Sequence, residues 1–154
     1  MKILIDADAC PVTNIAVCLA KEYALECVLV CDTSHTVVRD DVRTVIVSKG
    51  NDSADLMLVN LIQEGDIAVT QDYGLACMCL AKKAHIMNQN GMEYTNDNIV
   101  YLMETRHEAK RLRMRGKHLK GPKPRTKEQD ESFEKNFRTL IERCLFQHNT
   151  VEEQ

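Results

Sequence analysis

At 154 residues, 44% hydrophobic and 28% charged, the chain is ordinary for a globular protein and long enough for one domain with a real core. No apolar run approaches the roughly 20 residues of a membrane span, and charge at Lys2 and Asp6 interrupts any secretory apolar core. The expected compartment is therefore the cytoplasm, with no membrane partner. The net charge of −3 is unevenly placed: ten Lys/Arg against one acid, Glu108, make residues 106–127 +9 and leave −12 on the remainder. That asymmetry points to an anionic partner for the basic segment.

In chain order, Lys2–Asp6, Cys27–Cys31, Thr44–Ser48, Asp66–Thr70 and His85–Met87 are short apolar runs rich in Ile, Val and Leu. Continuous hydrophobicity of this kind predicts strands covered on both faces. Between them, Pro11–Tyr23, Ser53–Glu64 and Tyr73–Lys83 place apolar residues at helical spacing. The alternation predicts an α/β fold, a three-layer sandwich around a mainly parallel sheet of about five strands. Pro11 suits a first helical turn, Asp52 or Ser53 can cap the second helix, and Gly65 can end it in the left-handed conformation. The polar stretch Asp32–Val42 joins two strands without an evident helix.

A longer helix is expected from Asn96 to about Met114, then a loop over Gly116–Lys127 broken by Gly121-Pro122-Lys123-Pro124. A last helix from Glu128 to about Phe146 carries Phe133, Phe137, Leu140, Ile141, Cys144 and Leu145 on one face. The expectation is a single domain, 1–148, with the basic helix and loop 106–127 inside it and a disordered tail at 149–154. The seven cysteines are odd in number, scattered, and form no C-x-x-C pair, which favours buried structural thiols over a metal or redox role.

Ligands of parallel α/β proteins sit outside the carboxyl ends of the strands, and acids gather there. Asp6 and Asp8 end the first strand, Asp52 and Asp55 open the helix after the third, and Asp72 follows the fourth in Thr70-Gln71-Asp72. If the first, third and fourth strands are neighbours, Asp6, Asp8, Asp55 and Asp72 converge, and their repulsion is relieved by a hard cation, Mg²⁺ or Mn²⁺. Metal-assisted phosphodiester hydrolysis is the chemistry such a site performs. Asp55 is the better ligand because Asp52 is the natural cap. The plainer role of Asp52 and Asp55 as caps or solvated acids competes with ligation, whereas a carboxylate ending a buried central strand is costly unless something binds it.

The segments Ile5-Asp6-Ala7-Asp8-Ala9-Cys10-Pro11-Val12, Asn51-Asp52-Ser53-Ala54-Asp55 and Thr70-Gln71-Asp72-Tyr73-Gly74-Leu75-Ala76 resemble the YaiI/YqxD family of bacterial proteins over essentially the whole chain. That family is regarded as a branch of the PIN-like (PilT N-terminus-like) superfamily of metal-dependent nucleases. The resemblance implies a PIN-like parallel sheet, with Asp6 as the first-strand acid, Asp55 as the middle-helix acid and Asp72 as the acid of a Thr-x-Asp motif; Asp52, Ser53 and Thr70 are the expected supporting residues. Asp8 and Cys10-Pro11 depart from a typical PIN domain, and no fourth acid follows shortly after Asp72.

Nucleic acid, RNA in particular, is the expected partner of the arm, contacted through backbone phosphates by Arg106, Lys110, Arg111, Arg113, Arg115, Lys117, Lys120, Lys123 and Arg125. No aromatic residue lies within that segment to stack a base. Three functions compete: an Mg²⁺/Mn²⁺-dependent ribonuclease, a non-catalytic nucleic-acid-binding module, and a haloacid-dehalogenase-like phosphatase, which also begins strand-Asp-x-Asp. A homo-oligomer stays open.

Overall fold

The structure, a computed structural model, describes residues 1–33, 39–50, 53–116 and 123–154. In order, its elements are β1 (Lys2–Asp6), α1 (Thr13–Glu22), β2 (Glu26–Asp32), β3 (Arg43–Val47), α2 (Ser53–Leu61), β4 (Ile67–Val69), α3 (Tyr73–Ala81), β5 (His85–Met87), β6 (Glu93–Tyr94), α4 (Asn96–Met114) and α5 (Lys127–Glu152). The sheet order is β3-β2-β1-β4-β5-β6. All pairings are parallel except β5 with β6. Six strands thus replace the expected five; β6, two residues long, is too short to leave a periodic signal.

Side-chain alternation along each strand divides the interior into two cores. Ile3, Ile5, Leu29, Cys31 and Val69 point to one face, where α1 and the Phe133, Phe137, Leu140, Ile141 and Cys144 stripe of α5 cover them. Leu4, Val28, Val30, Ala68 and Ile86 point to the other, against Leu58 of α2, Leu75 and Cys79 of α3 and Ile99 of α4. The result is the expected three-layer sandwich. Helix α5 continues to Glu152, so residues 149–152, expected as disordered tail, are its last turn.

Several boundaries differ locally from expectation. Helix α1 starts at Thr13, with Pro11 in the preceding turn. Gly65 does adopt the left-handed conformation (φ 86°), in the turn that leads from α2 into β4. Both α1 and α3 end in a left-handed non-glycine residue, Ala24 and Lys83. Leu25 N–H donates to the Ala20 carbonyl and Ala84 N–H to that of Cys79, which satisfies carbonyls left open at the helix ends. All seven cysteines are free thiols. Burial pushes Cys27 and Cys79 up to about 12, so both stay protonated, as structural thiols do. No helix among the described residues is long and apolar enough to cross a membrane.

The chain enters at the sheet's middle, builds outward through β2 and β3, and returns across β2 and β1 through α2 to place β4 on the other side. The strand order therefore reverses between β1 and β4, which opens a crevice at their carboxyl ends.

Candidate functional site

Asp6 ends β1 beside that crevice and is held from β4: Thr70 Oγ1–H donates to Asp6 Oδ2 at 2.8 Å. The same Thr70 oxygen accepts from Asp72 N–H at 3.0 Å. Thr70 itself is 1% exposed, and the buried Tyr94 hydroxyl donates to its carbonyl at 3.2 Å. One threonine thus fixes the two acids against each other. Asp72 caps α3, its Oδ1 accepting from Leu75 N–H at 3.0 Å.

Asp8 is not an extension of the strand. The chain turns at Asp8-Ala9, with Ala9 left-handed (φ 57°), a strained conformation for a residue with a Cβ. The turn lets Asp8 Oδ1 and Oδ2 accept from Asp32 N–H, at 3.3 and 3.2 Å, at the end of β2. It also presents the Ala9 carbonyl to Gln71 Nε2–H at 3.1 Å. Asp32 is a fifth acid at this edge; in the sequence it was hidden at the start of a polar connection.

Asp55 arrives by another route. β3 is not a neighbour of β1, contrary to the arrangement on which convergence was premised; β2 lies between them. Helix α2 crosses over β2 onto β1, and Asp55 in its first turn stands at the same edge. Burial above all pushes Asp6 up to about 6; the Thr70 hydrogen bond pulls the other way, and the charges of Asp55, Asp8 and Asp72 add to the rise. All four acids are thus in one electrostatic neighbourhood. Asp52 lies outside the described residues; Ser53 is the first residue of α2.

Asp6, Asp8, Asp55 and Asp72 line a cleft of about 890 Å³ together with Ala9, Gln71 and Tyr73. Its far wall is α4, which contributes Thr105, Arg106, Ala109 and Arg113. Residues 105, 106, 109 and 113 recur at helical spacing, so one stripe of α4 faces the acids. Lys110, Arg111 and Arg115 are exposed elsewhere on that helix, Arg111 pairing with Glu108 at 3.2 Å. Lys123 is exposed; Lys117 and Lys120 lie outside the described residues.

Arg125 departs from the expected arm. Its Nε–H donates to Asp130 Oδ1 at 2.6 Å, Nη1 to Asn90 Oδ1 at 2.8 Å and Nη2 to the Gln89 carbonyl at 2.5 Å. It therefore clamps the loop after β5 to the start of α5. The basic count in the sequence could not reveal these acceptors.

Among the described residues, no three His, Cys, Asp or Glu side chains are gathered closely enough to form a ready-made metal cage. The donor set is nevertheless all carboxylate and open on one side, which suits a hard cation that keeps its waters and a substrate phosphate as ligands, and does not suit zinc.

The family model described as "Uncharacterized BCR, YaiI/YqxD family" matches residues 4–143. The chain belongs to this family. It is 46% identical to a "UPF0178 protein" of Exiguobacterium sibiricum over 92% of this chain and 96% of that one. A "UPF0178 protein" of Clostridium acetobutylicum is also 46% identical, over 93% and 98%. Another of Ruminiclostridium cellulolyticum is 47% identical over 92% of each. No solved structure matches at the same level of significance. The family match covers Asp6, Asp8, Asp55, Asp72, Arg106 and Arg113, so the whole cleft lies within the shared region.

Proposed function

We propose that the chain is an Mg²⁺- or Mn²⁺-dependent nuclease of PIN-like type that hydrolyses RNA phosphodiesters in this cleft. One observation carries the reading: four carboxylates on the floor face two guanidinium groups, Arg106 and Arg113, across a single cleft. A phosphodiester needs both signs. Guanidinium groups hold its non-bridging oxygens, and carboxylates hold the cation that its hydrolysis uses.

Asp6, Asp8, Asp55 and Asp72 would supply the oxygen ligands. When bound, the cation would neutralise the cluster, polarise the phosphoryl group and make water a better nucleophile near neutral pH. Thr70 keeps Asp6 and Asp72 in fixed relation to each other. The Asp32 backbone N–H does the same for Asp8. Arg106 and Arg113 set where the scissile phosphate lies, and the rest of the α4 cations, Lys110 and Arg115 among them, would track the strand beyond the cleft.

A second reading is favoured by the absence, among the described residues, of a closed three-donor cage: a module that binds the RNA backbone without cutting it. The phosphatase alternative draws no support from Asp8, whose oxygens accept from a backbone N–H in a turn rather than standing ready as an acid/base.

The deciding experiment incubates RNA and DNA strands with Mn²⁺, Mg²⁺ or EDTA, using the native chain, Asp6→Asn, Asp72→Asn and Arg113→Ala. The nuclease reading requires metal-dependent cleavage by the native chain and its loss, by roughly a hundredfold or more, in both Asp variants. Cleavage that persists in those variants, or none with any strand and metal, would sink it. Salt-sensitive RNA binding that survives Asp6→Asn, with no cleavage, would establish the binding module instead.

A further inference from the structure

The cleft holds one residue that neither the acids nor the cations explain. Tyr73 is the sole aromatic side chain among its lining residues, and it stands next to Asp72 at the first position of α3. The ring is half-buried and rests against Tyr94, centroids 6.0 Å apart at an interplanar angle of 69°. Tyr94 is itself 1% exposed and anchored by its hydroxyl to the Thr70 carbonyl. Tyr73 is therefore a braced ring, the one aromatic surface of the cleft, joined through Tyr94 to the threonine that fixes Asp6 and Asp72. No residue crowds it from the following position, which is Gly74.

One side of the ring packs on the core that holds Leu75 and Ala76, which are buried. The remainder of the ring, in a cleft also lined by carboxylates and guanidinium groups, offers a flat apolar surface beside Asp72. Bases present such a face only when unpaired; in a duplex they are covered by their neighbours.

We infer that Tyr73 is a base-stacking platform, which makes the cleft selective for single-stranded nucleic acid and fixes the phosphate next to the stacked nucleotide as the one presented to the acids. This rests on the nucleic-acid reading above and adds to it the substrate class and the residue that sets it. Arg106 and Arg113 supply strand affinity that does not distinguish bases from their absence; Tyr73 supplies the part that does.

The test uses three fluorescent probes of equal length: a single-stranded RNA, the same strand with abasic positions, and a hairpin duplex. Anisotropy titrations compare the native chain with Tyr73→Ala, Tyr73→Phe and Arg113→Ala. The native chain should prefer the base-bearing single strand over the abasic one, by roughly 5- to 100-fold. Tyr73→Ala should erase that preference while leaving abasic binding unchanged, and Tyr73→Phe should keep it. Arg113→Ala should weaken all three probes alike. Because the chain has no tryptophan, Tyr73→Trp adds a unique fluorophore that base-bearing strands should quench and abasic strands should not; this readout stands even if Tyr73→Ala fails to fold. Equal affinity for base-bearing and abasic strands, with Arg113-dependent binding intact, overturns the stacking inference alone. Absence of binding to any strand overturns it together with the nucleic-acid reading.

Discussion

The two long helices at the end of the chain begin in the same way and end as opposites. Both open with a capping box, Thr95 with Asn98 in α4 and Thr126 with Gln129 in α5. Helix α5 then buries Phe133, Phe137, Leu140, Ile141 and Cys144 against the sheet, Phe133 stacking on Phe137 with centroids 5.0 Å apart. Helix α4, at 19 residues, buries only Ile99. It leaves Val100, Tyr101, Met103 and Met114 exposed along with its cations. Equal local encoding with unequal burial shows that α5 is held by the core along its length, while α4 packs on α3 and the core through Ile99 and Leu102 near its start and turns most of its remaining surface outward. Helix α5 stabilises the sandwich; α4 lines the cleft and carries its cations at the surface.

The largest effect should come from the core helix. Phe137→Ala removes a fully buried ring, and urea unfolding should show a loss of about 3–5 kcal/mol. A loss under about 1 kcal/mol would mean that α5 is no more core than α4.

Next comes the cleft floor, which α4 faces and α5 does not. Asp6 is raised to about 6 by burial first and neighbouring acids after. A raised carboxyl favours the protonated form in the fold, so its contribution is fullest below about pH 4 and is lost as pH rises through about 6. In EDTA, native stability relative to Asp6→Asn should therefore fall by about 2 kcal/mol between roughly pH 4 and pH 7.5. Asparagine can still accept the Thr70 hydrogen bond. A constant difference across that range would mean that Asp6 is solvated and not in the crevice.

A smaller effect belongs to the arm. Arg106→Ala and Arg113→Ala should each weaken RNA binding by about 1 kcal/mol and reduce the salt slope by about 0.7, with unfolding unchanged within about 0.5 kcal/mol. Arg125→Ala should do the reverse, lowering stability through the lost clamp and leaving the salt slope as it was. The smallest effect tests the shared beginning: Thr95→Ala and Thr126→Ala should each cost about 0.5 kcal/mol of the helix they open. In α4, whose packing is slight, this should appear as local loss of amide protection; in α5 the core should suppress it.

What could be read in the sequence follows the same division. Strands β1, β2, β4 and β5 are legible because burial on two faces leaves uninterrupted apolar runs, and the edge strand β3, although Ile46 is exposed, keeps the run Val45-Ile46-Val47. The edge strand β6 pairs on one side through two residues, Glu93 and Tyr94, and so writes no such pattern. Asp6, Asp55 and Asp72 were placed at the correct edge because strand ends and helix starts are local features. That β2 intervenes between β1 and β3, and that α2 carries Asp55 across it, depends on topology, which local sequence does not specify. Arg125 was indistinguishable from its basic neighbours because its acceptors on residues 89, 90 and 130 are assembled only by the fold. Tyr73 stands within the Thr70–Ala76 segment, but its place in the cleft depends on Tyr94 and α4, which only the fold brings beside it.

The Asp6–Thr70 hydrogen bond joins residues 64 positions apart. During synthesis β1 leaves the ribosome first, yet its terminal carboxylate has no anchor until β4 has emerged and paired beside it. A nascent chain grown only as far as α2 carries Asp6, Asp8 and Asp55 with no Thr70 to orient them, and closing so long a loop is among the slower steps of a small fold. The cleft is consequently complete only once β4 and α4, which bring Thr70 and the far wall, have both emerged.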